Sequence, residues 1–251
     1  MRCFSLMSNA ALLDAHVHLP AYPDPEGVVA AAGRMGVGLV SVTESAGQAP
    51  LSLALKERHK GLRCFLGVHP SEAGKPSGGL EELGPLWGLA DGVGEIGLDP
   101  KYSQVGKTSP QMDLFVAQVE VAERMRKPLQ VHTRDAEGSC LDVLEGRSLG
   151  PVLFHWYEGE ESLGRALAIP RSFVSFGPAV LYSKKLARIA RRCPLEAVLT
   201  ESDGPVGFAA LGGAGGPGLV PSVAFRLAEV WGKSLGEAVE RLSLNATAYL
   251  R

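Results

Sequence analysis

Six side chains of the 251-residue sequence are of types that bind divalent cations and end successive apolar runs: His16, His18, Glu95, His132, His155 and Asp203. The chain has only six histidines, and four of them are in this set. His16 and His18 lie two apart. On a strand, where side chains alternate between faces, that spacing turns both imidazoles to one side and lets them share an ion. A lone His-x-His is weak evidence, because a hydrogen-bonded core histidine is commoner than a ligand. Four histidines with two carboxylates at one rim read instead as a metal centre.

A catalytic zinc ordinarily uses three protein groups plus water, so six donors point to two cations. Glu95 lies in chain order between the His16/His18 pair and the His132/His155 pair and is the natural bridge. Asp203 is then a ligand and a candidate general base. Two cations about 3.5 to 4 Å apart can share an attacking hydroxide and clamp the developing negative charge. A mononuclear site, with the spare groups supporting its ligands from behind, stays open. Imidazoles favour Zn, Mn, Ni or Fe over Mg on ligand softness. A Ser-His-Asp triad is not expected, because the histidines are better used as ligands.

The elements that must position these groups are eight short apolar or β-branched runs, at 12–18, 38–44, 63–69, 93–99, 128–134, 152–157, 172–177 and 197–203. They are near-continuous rather than alternating, as in parallel strands buried on both faces. Stretches of helical periodicity separate them, 111–126 most clearly. Eight βα units in about 250 residues match a (β/α)8 TIM barrel. A doubly wound open sheet would give the same alternation, and the polar residues decide between them. A closed barrel gathers all strand C-termini at one mouth, whereas an open sheet strings them along an edge. The expected fold is therefore α/β, a single TIM-barrel domain over residues 1–251, with irregular loops at 71–79 and 204–221.

Composition narrows the partners. Twenty-five Lys and Arg against 27 Asp and Glu give a net charge of -2, which removes the case for a globally basic nucleic-acid or membrane-surface protein. No run approaches the ~18 apolar residues of a membrane helix, which points to a soluble chain. The apolar start at 1–7 is interrupted by Ser8 and Asn9 before a secretory core forms. Cys3, Cys64, Cys140 and Cys193 are scattered without a Cys-x-x-Cys pair, as expected for reduced, buried thiols in a cytoplasmic protein. No feature of the sequence names a protein partner.

His16-Val17-His18, Gly67-Val68-His69-Pro70, Gly94-Glu95-Ile96-Gly97-Leu98-Asp99, Val131-His132-Thr133-Arg134-Asp135-Ala136, Phe154-His155 and Glu201-Ser202-Asp203-Gly204-Pro205 together resemble the TatD family of metal-dependent deoxyribonucleases in the amidohydrolase superfamily. The order matches throughout, and the helix at 111–126 and the terminal Asn245-Ala246 also resemble that family, so the likeness covers essentially the whole chain. The resemblance implies one metal held by His16, His18, Glu95 and Asp203 and another by Glu95, His132 and His155, with Asp203 activating the attacking water. It also implies phosphodiester hydrolysis in single-stranded or frayed DNA, often from the 3′ end, and use of magnesium. Zn or Mn is expected to bind more tightly, with Mg able to support activity at millimolar concentration.

The sequence departs from that family where residues 206–220 contain no Arg, Lys or Asn, where Trp156-Tyr157-Glu158 follows His155, and where Pro100 follows Asp99. Substrate groups are expected at His69, Arg134 and Trp156. His69 could orient substrate or a leaving group, or support a ligand from behind. Arg134 suits phosphate through its guanidinium fork, and Trp156 could stack on a base or pack the rim. The run at 184–192 reads as a solvated helix face rather than a nucleic-acid track. The competing functions are hydrolysis of a small ester, lactone or amide by the same centre, and a non-catalytic metal-binding scaffold.

Overall fold

The computed structural model describes residues 12–75, 79–103, 105–106, 109–208, 210 and 212–251. Cys3 and the apolar start at 1–7 lie outside the described residues, as do parts of the 71–79 and 204–221 loops. Eight parallel strands pair in chain order: β1 (Leu12–Val17), β2 (Val37–Val42), β3 (Arg63–Leu66), β4 (Gly92–Gly97), β5 (Leu129–His132), β6 (Val152–Phe154), β7 (Ser172–Phe176) and β8 (Val198–Thr200). β8 returns beside β1, where the Thr200 hydroxyl donates to the Leu13 carbonyl at 2.7 Å and the Asp203 amide to the His16 carbonyl at 3.0 Å. The result is the expected (β/α)8 barrel, nearly closed, with one mouth.

Every run read as a strand overshoots the end of the ladder by one to three residues, so His18, His69, His155 and Asp203 stand beyond the last paired residue of their strands. The apolar pattern persists there because the chain turns over the barrel mouth while still buried. His18, His69, His155 and Asp203 are all among the buried polar residues.

The helices are α1 (Pro25–Arg34), α2 (Ala49–Arg58), α3 (Leu80–Leu83), α4 (Pro110–Met125), α5 (Glu137–Leu144), α6 (Leu163–Ala168), α7 (Lys184–Arg192), α8 (Val220–Trp231) and α9 (Leu235–Tyr249). Local chemistry sets several boundaries. Ser109 caps α4 ahead of Pro110, Ser183 caps α7, and Ser234 with Glu237 forms a capping box on α9. α7 buries Leu186, Ile189 and Ala190, and its cations face outward onto Glu158 and Glu160, the solvated face expected. Cys64, Cys140 and Cys193 are buried free thiols, again as expected.

One apolar cluster fills the layer between strands and helices. A second, built on Leu13, Val40, Phe65, Leu153, Phe173 and Leu199, fills the barrel itself. Tyr249 of α9 joins the inner cluster, and its hydroxyl donates to the Leu129 carbonyl at the start of β5 at 3.2 Å. The last helix thus plugs the barrel end opposite the histidines. Asn245 anchors it by donating to the Leu195 and Val198 carbonyls.

Gly97 ends β4 at φ +148°, and a Cβ there would stand 2.0 Å from the His132 carbonyl oxygen. Backbone cannot yield as a flexible side chain would, so the substitution combines a poor conformation with a clash beneath the site. Gly97→Ala is expected to destabilise the fold by about 3 kcal/mol or more, read as a thermal midpoint. A variant melting with the parent would contradict the close β4–β5 approach.

Candidate metal centre

The barrel mouth brings all six predicted ligands together. The Nε2 atoms of His16 and His18 lie 3.2 Å apart, each 3.5 Å from Oε2 of Glu95 and 3.5 and 3.2 Å, respectively, from Oδ1 of Asp203. The other oxygen of the same carboxylate, Oε1, lies 2.8 Å from Nδ1 of His132 and 2.7 Å from Nε2 of His155. Glu95 therefore divides its two oxygens between two donor groups, as a bridging carboxylate would. The His16 and His155 rings stack at 3.9 Å, which packs the groups side by side.

Surrounding residues aim the rings. Gln130 on β5 spans the barrel: its amide nitrogen donates to the Ala15 carbonyl, which leaves its oxygen to accept from Nδ1 of His16 at 2.6 Å. The His16 proton is thereby placed on Nδ1, and Nε2 presents a lone pair to the centre. Asp99 does the same from the other side, holding Nε2 of His132 at 3.0 Å and turning Nδ1 inward. Glu201 lies behind Nδ1 of His155 at 3.8 Å, and neither of those atoms has a hydrogen-bond partner.

His69 is oriented differently. Its Nδ1 accepts from the Ser71 amide at 3.1 Å, so the proton of the neutral ring sits on Nε2, which faces Oε1 of Glu95 at 3.6 Å. Burial pushes its pKa down to about 4. His69 is thus a neutral donor aimed at the centre rather than a lone pair available to an ion.

The donor set fits divalent cations. Ring nitrogens of His16, His18, His132 and His155 face the oxygens of Glu95 and Asp203 at 2.7–3.5 Å, the donor types that hold such ions. The pocket retains positive charge strongly. Burial by itself would lower His155, but Glu95 and Glu201 outweigh it and raise its pKa well above the usual value. His18 is likewise lowered by burial but raised more by Asp203 and Glu95, to about 9. Burial would raise Glu95, yet the imidazoles of His155, His69 and His16 hold it well below its ordinary value. Charge and ligand type together suit borderline cations bound by imidazole and carboxylate.

Above the centre opens a cleft of about 600 Å³, edged by Arg134 and Trp156 as well as His69. Arg134 and Asp135 are exposed at its rim. Trp156 is half-buried and stacks on Phe208 at 5.2 Å, while its indole nitrogen donates to Glu158 at 3.1 Å. One face of the ring is rim packing, and its remaining surface borders the cleft. Asp135, Trp156 and Asp203 all adopt left-handed backbone, with φ of +51°, +40° and +50°, just beyond strands β5, β6 and β8. That is unusual for tryptophan, and such strain concentrates at functional sites.

Sequence reasoning had no signal for Gln130, whose partner in the barrel is 114 residues away. It also did not weigh Lys101, Tyr102 or Glu137, which border the cleft. The sequence does carry one Gly-x-Ser-x-Gly stretch, Gly146-Arg147-Ser148-Leu149-Gly150, but it lies in the loop entering β6, away from the mouth. Ser148 there is tied through its amide to Glu123 and serves no nucleophilic role at this centre.

A family model for TatD related DNases matches residues 13–251, nearly the whole chain. The chain belongs to that family. Among similar TatD proteins, the human deoxyribonuclease TATDN3 is 27% identical over 259 residues, covering 95% of this chain and 94% of its own. The metal-dependent hydrolase YcfH of Escherichia coli K12 is 30% identical over 210 residues, covering 77% of each chain. The crystal structure of YJJV, a TatD homologue from Escherichia coli, superposes with a TM-score of 0.82 at 25% identity, covering 96% of this chain and 98% of that one.

Within this TatD fold, Gln130 is the outer support whose loss is easiest to read. Gln130→Met keeps the volume but leaves His16 free to choose its tautomer. Outer-ligand losses of this kind cost about 10–100-fold in metal affinity. Titration with Zn or Mn should show that weakening beside a stability loss of about 1–3 kcal/mol, as the buried Ala15 carbonyl and His16 Nδ1–H lose this partner; parental affinity would mean that Gln130 does not set the His16 tautomer.

Proposed function

We propose that this TatD protein is a single-domain phosphodiesterase that cleaves single-stranded or frayed DNA with two divalent cations, of which Zn, Mn or Mg fits and Ni or Fe is possible. The observation that carries the reading is the division of the Glu95 carboxylate between two imidazole pairs at the floor of one cleft. His16, His18, Glu95 and Asp203 would hold one ion, and Glu95, His132 and His155 the other. When bound, such ions bring the pKa of water toward neutrality and polarise a phosphoryl oxygen. Asp203 orients the attacking water and accepts its proton. Arg134 holds a non-bridging phosphate oxygen through its fork, the Nε2–H of His69 donates to the phosphate or leaving oxygen, and Trp156 borders a flanking base.

The names of TATDN3 and of the family model support a DNA substrate. No helix among the described residues is long and apolar enough to cross a membrane. A cytoplasmic location for the whole chain belongs to the same proposal and rests on the buried, unpaired thiols.

The test is hydrolysis of a labelled single-stranded oligonucleotide by metal-reconstituted protein, beside bis(4-nitrophenyl) phosphate and a panel of carbonyl esters, lactones and amides. Shortening from the 3′ end that requires metal and Asp203 supports the proposal. Turnover of a carbonyl substrate alone replaces it with the small-ester reading. Full metal occupancy without turnover of any substrate leaves a scaffold.

A further inference from the structure

Charge around the cleft, rather than at its floor, limits what the cleft accepts. Three cations border it, Lys101, Arg134 and Lys185, against four carboxylates, Glu44, Asp135, Glu137 and Glu158. The outer cleft is thus negative by one charge, whatever ions balance the deep carboxylates. Two of its cations are engaged already. Lys185 pairs with Glu158 at 3.2 Å, and Lys101 lies over the Tyr102 ring at 5.3 Å.

Among the described residues leading away along α7, most cations are already paired, and Lys184 is exposed outside those pairs. On α7, Arg188 and Arg192 are both drawn onto Glu160, at 2.6 and 3.2 Å. The 206–220 stretch on the other side of Trp156 contains no Lys or Arg. A long strand carries a negative charge on every nucleotide and gains affinity from each phosphate it places near a cation. Among the described residues that border the cleft, Arg134 is the cation left for such a contact, and the bordering carboxylates outnumber the cations.

Uncharged contacts are better provided. Tyr102 is 47% exposed, with its ring edge-on to His69 at 5.5 Å. Trp156 is backed by Phe208. Both rings border the cleft, and aromatic faces accept bases or other flat groups without regard to charge. The cleft volume of about 600 Å³ lies within the ~300–1,000 Å³ of sites that enclose one small ligand.

Resting on the phosphodiesterase reading above, we propose that the cleft selects a short substrate, a strand terminus or a dinucleotide-sized diester. One phosphate sits at the centre, at most one more at Arg134, and the flanking groups lie against Tyr102 and Trp156. Length beyond that adds no affinity, because the acidic rim turns the continuing strand away.

The test measures binding separately from turnover. Fluorescence anisotropy with metal-loaded protein would compare labelled two-, six- and 24-nucleotide single strands linked by slowly cleaved phosphorothioates, across a range of salt. Affinities within about threefold of one another are expected, with a log–log salt slope near -0.7 to -1.4, the value for one or two phosphate contacts in a single strand at about 0.7 each. Glu137→Lys adds one cation at the rim and should tighten the 24-mer about eightfold at 50 mM salt, with the salt slope steeper by about 0.7. The dinucleotide and the turnover of bis(4-nitrophenyl) phosphate should be unaffected. A 24-mer bound more than about twentyfold tighter than the dinucleotide, with a slope steeper than about -2, overturns the proposal. Length-independent binding without hydrolysis of any diester would sink the phosphodiesterase reading while upholding the short-ligand cleft.

Discussion

Asp203→Asn is expected to lose about 10²–10⁴-fold in kcat/KM on a phosphodiester at saturating metal, the range for removal of a positioned general base. Asparagine keeps the shape of aspartate and still offers an oxygen toward His18, where Oδ1 now lies 3.2 Å away. It cannot take up the proton of an attacking water. The backbone argument favours this variant over alanine. Residue 203 sits at φ +50°, a conformation asparagine tolerates well, and its amide must still donate to the His16 carbonyl across the β8–β1 seam. Loss of activity with an unchanged melting profile therefore isolates the chemistry. Activity within tenfold of the parent, with the metal content matched, would show that another group takes the proton. Glu95→Gln is a useful companion, since it removes the shared carboxylate and should weaken both sites together.

Metal loading is expected to raise the thermal midpoint markedly, and by more at alkaline pH. An ion at 100 times its dissociation constant contributes about 2.7 kcal/mol per site. For a domain of this size that is about 5–11 °C, at roughly 2–4 °C per kcal/mol. The pH dependence follows from His18 and His155, whose folded pKa values are raised, that of His18 to about 9. Without metal, the stability these imidazolium groups contribute is fully present below their unfolded value of about 6.5. It is lost as pH rises through the folded values. Bound metal must displace those protons, so its apparent affinity grows with pH, by up to about tenfold per unit for each proton released. Burial tends to raise Asp203, but His18 and His16 hold it below its usual value, so it stays ionised throughout this window. The gap between metal-loaded and EDTA-treated midpoints should widen from pH 6.5 to 9. Calorimetry in buffers of different ionisation enthalpy should show protons released on loading at pH 7. A constant gap with no proton release would mean that these histidines are not ligands.

The residues that meet at the centre were legible because each ends an apolar run, and a parallel barrel leaves strand ends only one place to converge. His16, Glu95 and His132 lie within their strands, and His18, His155 and Asp203 one or a few residues beyond, so the register of each run located its polar residue even where the ladder ended early. Trp156 and His69 were recognisable as mouth residues, but not their orientation. Only the Ser71 amide beside Nδ1 of His69 distinguishes a donor from a ligand, and only Phe208 shows which side of the Trp156 indole is occupied.

What the amino-acid sequence determined by itself is the chemistry and the layer order: eight buried parallel strands alternating with helices, and a set of imidazoles and carboxylates suited to divalent metal. Those follow from local periodicity and from residue type, which need no distant partner. What the tertiary structure alone decided is how each group is aimed and how the cleft is charged. Gln130 reaches His16 across the barrel, Asp99 turns His132 inward, and the two oxygens of Glu95 face opposite pairs. Lys185 is claimed by Glu158, and Arg188 and Arg192 by Glu160. Hydrogen-bond direction and charge pairing are properties of atoms a few ångströms apart in space, and the side chains that set them here are separated by up to 185 positions along the chain.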